Sequence, residues 1–511
     1  MQLPGEQAAL EDLRARATAI ASAWGATAAT FTTIGQERAI LRLFGVSGVD
    51  RAGRPLAAEV VDRYLGPQPD RLGGGVALPF AMAMAEYDLR PQELALEVAA
   101  GNVDLGLEAE LLAEPDRRAT ALANATALAR SALDRVAANR IARNEVLGLL
   151  GDPRRPWIGV ALGAPAIVDA LEEASRAIDA GAELIRVDVP PSRELAERSI
   201  EVGRKVEAWR AAPGSRGGLD VHDPRGAPVP AGSQRALAVL RRFVDEAGAR
   251  RRGYVRLLTD AQPLAAPDQA VVAAFERIDL VVADPMREIV TGRVDPDRAL
   301  ADHVFAHRLL ARAGTRVLVP AGPLLVAPDL ARGMPSDPAT RAGRALAMQL
   351  LAVALARRDG LPAASVVVGA LPDWLVDEPG VPVRAAAEVA LRRALLPEHA
   401  LAFVEPALGR EAAATWHALV AAILADAGDV EAILRAPGDP RVSVAQTRAA
   451  AAATLAALDD TGWRAVADQP LGVGTRGLGA EAVAERSGAF DPLSIDVAGV
   501  SPSRASPGRR G

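Results

Sequence analysis

The sequence WIGVALGAPAIVDALEEASRAIDAGAELIRVDVPPS, from Trp157 to Ser192, contains the pattern that decides the fold. It starts with a short apolar run of the kind found in strands that are buried on both faces. Apolar residues at helical spacing follow, with charged residues between them, until Gly181 ends the helix. ELIRVDV then predicts a second buried strand. Strand, helix and strand in this order form a βαβ unit, in which the two strands are parallel and the crossover is right-handed.

Polar side chains gather where this second strand ends. Arg186 and Asp188 lie on the strand, and Ser192 follows two prolines. In parallel α/β folds the carboxyl ends of the strands usually carry the ligand-binding and catalytic groups. We therefore expect this edge to line a functional site. The alternative is that these are ordinary solvated residues at the end of a strand.

The alternation of strand and helix continues to about residue 410. Apolar runs predict six further strands: GLDVH (218–222), YVRLLT (254–259), IDLVVAD (278–284), TRVLVP (315–320), SVVVG (365–369) and LAFVEP (401–406). Because parallel strands need helices on both faces or around a closed barrel, eight of them predict an α/β fold of the (β/α)8 TIM-barrel class over about residues 155–410. An open doubly wound sheet is the alternative.

Helical patterns flank the predicted barrel. We expect a helical N-terminal domain over 1–150, the barrel domain over 151–430, a C-terminal extension that begins as helix over 431–498, and a disordered tail over 499–511. The last 50 residues are rich in Gly and Pro, which is typical of chain that forms no packed core.

Composition narrows the classes of function. Half of the 511 residues are hydrophobic, yet no uninterrupted apolar run approaches the roughly 18 residues of a membrane span. The first residues lack the pattern of a secretion signal and cysteine is absent, so we expect a cytoplasmic protein without thiolate chemistry. A net charge of −6 offers no positive field for nucleic acid. Lys205 is the single lysine, so covalent amine chemistry must use it or a lysine of another chain.

Carboxylates follow three other predicted strands. Asp260, Asp284 and Glu405 stand where the fourth, fifth and eighth strands end, so a barrel would bring them to the same rim as Arg186. Such carboxylates can orient an amine or a pyridine nitrogen. Asp284 is followed by a proline, however, and equally suits a helix N-cap.

Three of the five histidines stand where chemistry is possible. His303 and His307 are four residues apart on one predicted helix, a spacing that can chelate a metal. That helix is expected outside the barrel, so we interpret these two as packing or surface residues. His222 instead ends a predicted strand, next to Asp223, and is a candidate for the site.

Long stretches of the chain resemble the large (α) subunit of lysine 5,6-aminomutase and the matching part of D-ornithine aminomutase. The similarity is clearest at TTIGQERAILRLFGVSGVDRAGRPLAAEVVD, LRPQELALEVAAGNVDLG and GDPRRPWIGVALGAPAIVDALEEA, and it returns at RGYVRLLTD and VVADPMREIVTGRVDPDRALADHVF. Together the similar stretches span roughly residues 30–480. The resemblance implies an isomerase that binds pyridoxal phosphate (PLP) on a TIM barrel and moves an amino group along a basic amino acid by radical chemistry.

The resemblance also implies a partner. In this family a smaller β subunit carries adenosylcobalamin and supplies the lysine that holds PLP. The cofactor-binding residues expected on this basis are Arg186, Ser192, Ser233 and Arg293. Asp284 and Asp295 are expected to be the catalytic carboxylates that orient the amine or the pyridine nitrogen.

The expected cofactor site departs from the family pattern at several positions. Val189 stands where an ungapped alignment places a family arginine, and Ala370 stands where a histidine is expected. Two further functions therefore stay open. One is a homologue that keeps the barrel as a structural or regulatory partner without PLP catalysis. The other is an enzyme for a phosphorylated metabolite, which the loops after Gly369 and Glu405 and around Gly409 would hold.

Overall fold

The structure is a computed structural model. It describes residues 4–48, 55–66, 68–153, 157, 159–162, 167–179, 182–187, 234–260, 264–290, 294–321, 338–370, 381–402 and 483–495. The N-terminal part contains helices and one short strand: α1 Pro4–Ala28, β1 Phe31–Thr33, α2 Ile34–Leu43, α3 Leu56–Leu65, α4 Ala77–Tyr87, α5 Pro91–Ala100, α6 Leu105–Leu111 and α7 Pro115–Leu150.

Local sequence explains where these helices begin and end. The Thr33 hydroxyl accepts a hydrogen bond from the Gln36 N–H, the N-cap that starts α2. Proline at the first position starts α7, and Gly151, with a φ of 80°, ends it. The 36 residues of α7 bury mainly alanines, which allow close packing against α4 and the barrel helices.

From residue 159 onward strands and helices alternate. They are β2 Gly159–Leu162, α8 Ile167–Asp179, β3 Leu184–Val187, α9 Gln234–Arg251, β4 Arg256–Asp260, α10 Ala266–Phe275, β5 Leu280–Val282, α11 Pro285–Val290, α12 Pro296–Ala313, β6 Arg316–Val319, α13 Pro338–Arg358, β7 Val366–Gly369, α14 Val381–Leu395 and β8 Ala400–Ala402. The seven strands β2 to β8 form one parallel sheet in which spatial order equals chain order. A doubly wound sheet reverses its strand order at a switch point, so this order agrees with a barrel.

The order of the described strands differs from the prediction after β3. β3 is hydrogen-bonded directly to β4, with Leu184 opposite Arg256 and Val187 opposite Thr259, so no strand lies between them. The predicted third strand, residues 218–222, lies outside the described residues. The expectation fails because an apolar run predicts a buried strand but not which strand it pairs with.

The strands of the sheet bury both faces. Leu258, Leu280, Val282, Leu318 and Val367 pack with one another on the inner face. The alternating neighbours, such as Leu257 and Val281, belong to the large core beneath the helices. Because successive residues of a strand point to opposite faces, this division gives the direction of every polar residue on the same strands.

The last part of the chain contains a strand that we did not predict. β9, Val483–Glu485, pairs antiparallel with β1 in the N-terminal region. Phe490 packs against Phe44 with ring centroids 6.1 Å apart, and Arg308 of α12 pairs with Asp491 at 2.8 Å. Residues 483–495 therefore do pack, although the Gly and Pro content of this stretch is typical of chain without a packed core; the tail predicted at 499–511 lies outside the described residues. Among the described helices, none is long and apolar enough to cross a membrane.

Candidate functional site at the carboxyl end of the barrel

Arg186 points into the barrel. It lies opposite Leu258 in the ladder and shares the inward direction of Leu184. Its guanidinium is 4.0 Å from Asp260 Oδ2, and its side chain is 23% exposed to solvent. Asp260, the last residue of β4, lies opposite the inward-facing Val282. The predicted rim therefore does bring this arginine and this carboxylate together.

Arg287 holds Asp260 from the other side. Its two terminal nitrogens donate to the two carboxylate oxygens, at 2.7 and 3.3 Å. A guanidinium bound to a carboxylate in this bidentate way is strongly oriented. Both side chains are buried, whereas Arg186 is partly open. We did not single out Arg287 from the sequence; its position three residues after the strand-ending Asp284 was the available signal.

Asp284 fills the first of the two roles that the sequence left open, the helix cap, and its part in orienting an amine or a pyridine nitrogen stays a prediction. One oxygen accepts hydrogen bonds from the Met286 and Arg287 N–H groups, at 2.9 and 3.2 Å, so Asp284 caps α11. Burial raises the pKa of its carboxyl group to about 6, against the lowering effect of Arg287. Asp284 is thus a helix cap that can also gain or lose a proton close to neutral pH.

Asp295 lies at the start of the next helix. Its carboxylate accepts a hydrogen bond from the Arg298 N–H at 3.1 Å, which makes it the N-cap of α12. Its expected part in orienting a substrate amine stays a prediction. The other residues expected at the site lie outside the described residues: Asp188, Ser192, His222, Ser233, Arg293 and Glu405.

Two further side chains hold the ends of β6 and β7. The amide nitrogen of Gln349 donates to the carbonyl oxygens of Pro320 and Gly369, at 2.8 and 2.9 Å. Arg392 donates to the Gln349 side-chain oxygen at 2.8 Å and to the Ala321 carbonyl at 3.1 Å. These buried contacts position the chain where it leaves both strands. The sequence offered no signal for them, since both residues lie on helices.

Gly369 is the residue that lets these two strand ends approach. A Cβ atom added there would lie 2.6 Å from the Ala321 nitrogen, so any other residue would force the backbones apart. The site-related glycine of the sequence is therefore a packing requirement at the strand end. The region around Gly409 lies outside the described residues.

The two histidines of α12 are buried behind this rim. His303 Nδ1 is 2.9 Å from the Ala299 carbonyl oxygen, and His307 Nδ1 is 3.0 Å from Asp359 Oδ2. Among the described residues no group of three or more His, Asp and Glu side chains is arranged to hold a metal ion. The interpretation of His303 and His307 as packing residues is confirmed, since both are buried.

The described rim side chains can bind an anion and handle a proton. Arg186 and Arg287 together carry two positive charges against Asp260 and Asp284. The net charge of these four side chains is zero when Asp284 is ionised and one positive charge when Asp284 is protonated. The partly exposed Arg186 guanidinium is the group that an incoming carboxylate or phosphate would meet.

Similarity to known proteins agrees with this architecture. The family described as D-lysine 5,6-aminomutase TIM-barrel domain of alpha subunit matches residues 3–195 and 230–410. The lysine 5,6-aminomutase alpha subunit of Acetoanaerobium sticklandii is 27% identical over 306 residues, 60% of this chain and 54% of that protein. The lysine 5,6-aminomutase alpha subunit of Fusobacterium nucleatum subsp. nucleatum is 28% identical over 284 residues, 55% of this chain and 50% of that protein.

The chain thus spans about half the length of the curated relatives it matches. The family match covers well over half of the chain and includes all seven strands of the parallel sheet. The inward Arg186, the strand order and the helices before the barrel all lie within the matched residues. The chain therefore belongs to the family of the TIM-barrel domain of the D-lysine 5,6-aminomutase alpha subunit, as a divergent member.

Proposed function

We propose that this chain is the α subunit of an aminomutase that depends on PLP and adenosylcobalamin and moves an amino group along a basic amino acid. The observation that carries the proposal is the cluster of Arg186, Asp260 and Arg287 on the inner face at the carboxyl ends of the strands. This is the end at which TIM-barrel enzymes bind their substrates. The relatives named above are lysine 5,6-aminomutase alpha subunits, which supplies the reaction class.

The described residues fit an anionic cofactor. PLP carries a phosphate dianion, and Arg186 offers a partly exposed guanidinium that is held in place by a buried carboxylate. Ser192, Ser233 and Arg293 are proposed as further phosphate or carboxylate ligands. When bound, PLP would supply the electron sink that stabilises the reacting amino group.

The protein's own part is orientation and proton control. Arg287 orients Asp260, and Asp260 orients Arg186 toward the barrel interior. Asp284 and Asp295 are proposed to orient the positively charged amine of the substrate or the pyridine nitrogen. With a pKa of about 6, Asp284 can accept a proton near neutral pH without leaving its position as a helix cap.

The proposed enzyme needs a partner. Lys205 is the only lysine of the chain, and it lies outside the described residues. We propose that a smaller β subunit carries adenosylcobalamin and supplies the lysine that holds PLP. The radical that starts the reaction would come from that subunit, so the barrel has to bind substrate and exclude water.

The test is the affinity for PLP in the presence of the cobalamin-binding partner. Arg186→Ala should weaken binding by about 1.5–3 kcal/mol, roughly ten- to a hundredfold, because one charge-assisted contact is lost. Arg316→Ala is the matched control. Arg316 begins β6 at the opposite end of the barrel, with its guanidinium 5.4 Å from the centre of the Trp157 ring, so its loss should leave the affinity unchanged.

The outcomes separate the proposed function from its alternatives. If the wild type shows no saturable PLP binding even with its partner, the chain is a structural or regulatory homologue and not the enzyme. If PLP binds tightly and Arg186→Ala changes nothing, the aminomutase survives and the phosphate site lies elsewhere.

A further inference from the structure

A buried acid and a buried imidazole face each other behind the rim. Glu288 lies on α11, next to Arg287, and His303 lies on α12. Glu288 Oε1 and His303 Nε2 are 3.5 Å apart, and both side chains are almost completely buried. Among the described residues neither atom makes a hydrogen bond, so two buried polar atoms without a partner face each other at this distance.

The histidine's other nitrogen decides which atoms carry hydrogen. His303 Nδ1 is 2.9 Å from the Ala299 carbonyl oxygen, which can only accept a hydrogen bond. Nδ1 therefore carries a hydrogen, and in a neutral imidazole Nε2 is a lone pair. A second lone pair on an ionised Glu288 would repel it, so one proton has to lie between the two atoms.

That proton can belong to an ion pair or to two neutral groups. An ion pair would place two charges where water cannot reach them, at a high desolvation cost. Burial, and then His307, lowers the pKa of His303 to about 3. Burial, and then the negative charge of Asp302, raises the pKa of Glu288 well above its usual range. Both effects favour the neutral pair.

The surrounding charges do not reverse this balance. The buried titratable and charged groups on the elements packed around the pair are Asp268 on α10, Asp284 and Arg287 at α11, Arg298, Asp302 and His307 on α12, and Asp359 after α13. Arg298 and Arg287 stabilise a negative charge on Glu288, but each is bound to a carboxylate of its own. Asp302 acts in the opposite direction.

We propose that Glu288 is a neutral carboxylic acid that donates its proton to His303 Nε2, and that it is a positioning residue for the anion-binding rim. An ionised Glu288 would compete with Asp260 for Arg287, its neighbour in α11. A neutral Glu288 leaves Arg287 to Asp260 and ties α11 to α12. The link to the rim rests on the proposed function; the protonation state of Glu288 does not.

Glu288→Gln in the full-length chain tests the protonation state. The amide N–H can donate to His303 Nε2 as the acid does, but it does not titrate. The wild type keeps its Glu288 proton when folded and loses it when unfolded above the ordinary pKa of 4.5, so rising pH should destabilise it relative to the variant. Urea titrations between about pH 5.5 and 8.5 give the unfolding constants of both proteins. The unfolding constant of the wild type divided by that of Glu288→Gln should rise by up to about tenfold for each pH unit.

Glu59→Gln is the matched control. Glu59 is also a buried glutamate, but it accepts a hydrogen bond at 3.0 Å from Arg63, so its carboxylate is used in the ionised form. Removing that charge should destabilise the protein across the same pH range, without the rising ratio expected for Glu288. A ratio of unfolding constants that rises with pH identifies a neutral acid, and a ratio without this rise identifies an ion-paired one.

Infrared difference spectra supply a second measurement. The wild type at pH 8 should show a protonated carboxylic acid band that Glu288→Gln lacks. A pH-independent or falling ratio of the wild-type to the variant unfolding constant, a missing band, or failure of the isosteric Glu288→Gln to fold would each overturn the neutral pair.

The positioning role is tested by PLP binding once the pair is confirmed. Glu288→Ala should weaken PLP binding at least several-fold while Glu288→Gln retains it; if both retain it, Glu288 has no positioning role. Because the stability and infrared experiments contain no PLP, a failure of the proposed function leaves their outcome unaffected.

Discussion

Arginines at the two ends of the same barrel are held in opposite ways. At the amino end Arg143 donates to the carbonyl oxygens of Ile278, Ala313 and Gly314, at 2.9, 3.0 and 2.6 Å. At the carboxyl end the Arg186 side chain is 23% exposed, and its guanidinium lies 4.0 Å from Asp260. The first arginine is buried and held by the backbone, whereas the second is partly exposed, so a ligand can reach it.

A second amino-end arginine repeats the pattern. Arg241 donates to Asp279 at 2.9 Å and to the Val255 carbonyl at 2.9 Å. Asp279 in turn accepts from the Tyr254 hydroxyl at 2.8 Å and the Leu257 N–H at 2.9 Å. Arg241 ties a helix to the starts of two strands, and Asp279 ties those two strand starts together, so charge at this end stabilises the barrel. At the other end Arg186 is partly exposed at the edge where barrel enzymes bind their substrates.

The largest expected effect is on stability at the amino end. Arg241→Met leaves the Asp279 carboxylate buried without its cation, which should lower the free energy of unfolding by about 3–5 kcal/mol. Urea denaturation measures it. Arg242→Met, the exposed neighbour on the same helix, should change stability little. A small effect of Arg241→Met would remove the contrast between the two ends.

The next effect depends on pH. Burial raises the pKa of the Asp284 carboxyl group from 3.8 to about 6, so folding favours its neutral form. Its contribution to stability is complete below pH 3.8 and is lost as the pH rises through about 6, a change of about 3 kcal/mol. Asp284→Asn keeps the cap and does not titrate, so its stability relative to wild type should increase over this window.

Asp104→Asn is the control for that pH experiment. Asp104 caps α6 through a hydrogen bond from the Gly106 N–H at 2.8 Å, but it is exposed. The same substitution there should show no comparable change between pH 4 and pH 7. If the stability of Asp284→Asn relative to wild type did not change with pH, Asp284 would be only a helix cap, and the rim would have no titratable group at this position.

The smallest effect should be the stability change at Arg186. Its pair with Asp260 is long and partly exposed, and Arg287 still neutralises Asp260, so Arg186→Met should alter the free energy of unfolding by only about 0–1 kcal/mol. Urea denaturation without ligand measures this change. A loss as large as that of Arg241→Met would make Arg186 structural, like the arginines of the amino end.

Periodicity in the sequence predicted most of the barrel. All seven strands of the parallel sheet fall within or next to predicted apolar runs, and Arg186, Asp260 and Asp284 lie at the expected strand ends. These features are local, because a buried parallel strand needs a continuous apolar run and its direction follows from alternation. The third predicted strand, at 218–222, had the same local pattern, and the pattern could not reveal that β3 pairs with β4.

The clamp on Asp260 was decided by tertiary structure. Nothing in the sequence connects Arg287 with a carboxylate 27 residues earlier, and only the barrel brings β4 and α11 together. The same holds for β1 and β9, which are about 450 residues apart and only three residues long. Such short strands carry too few residues for a periodic signal, and their stability comes from the partner strand.

The sequence by itself determined the fold class, the position of Arg186, Asp260 and Asp284 at the strand ends, and the absence of any lysine other than Lys205. Composition and local periodicity are enough for these, since they depend on each residue and its neighbours alone. Tertiary structure decided which arginine is buried and which is partly exposed, and which carboxyl group has a pKa near neutral. Those properties depend on burial and on charges from distant parts of the chain, such as Arg287 beside Asp260 and His303 beside Glu288, which no local pattern records.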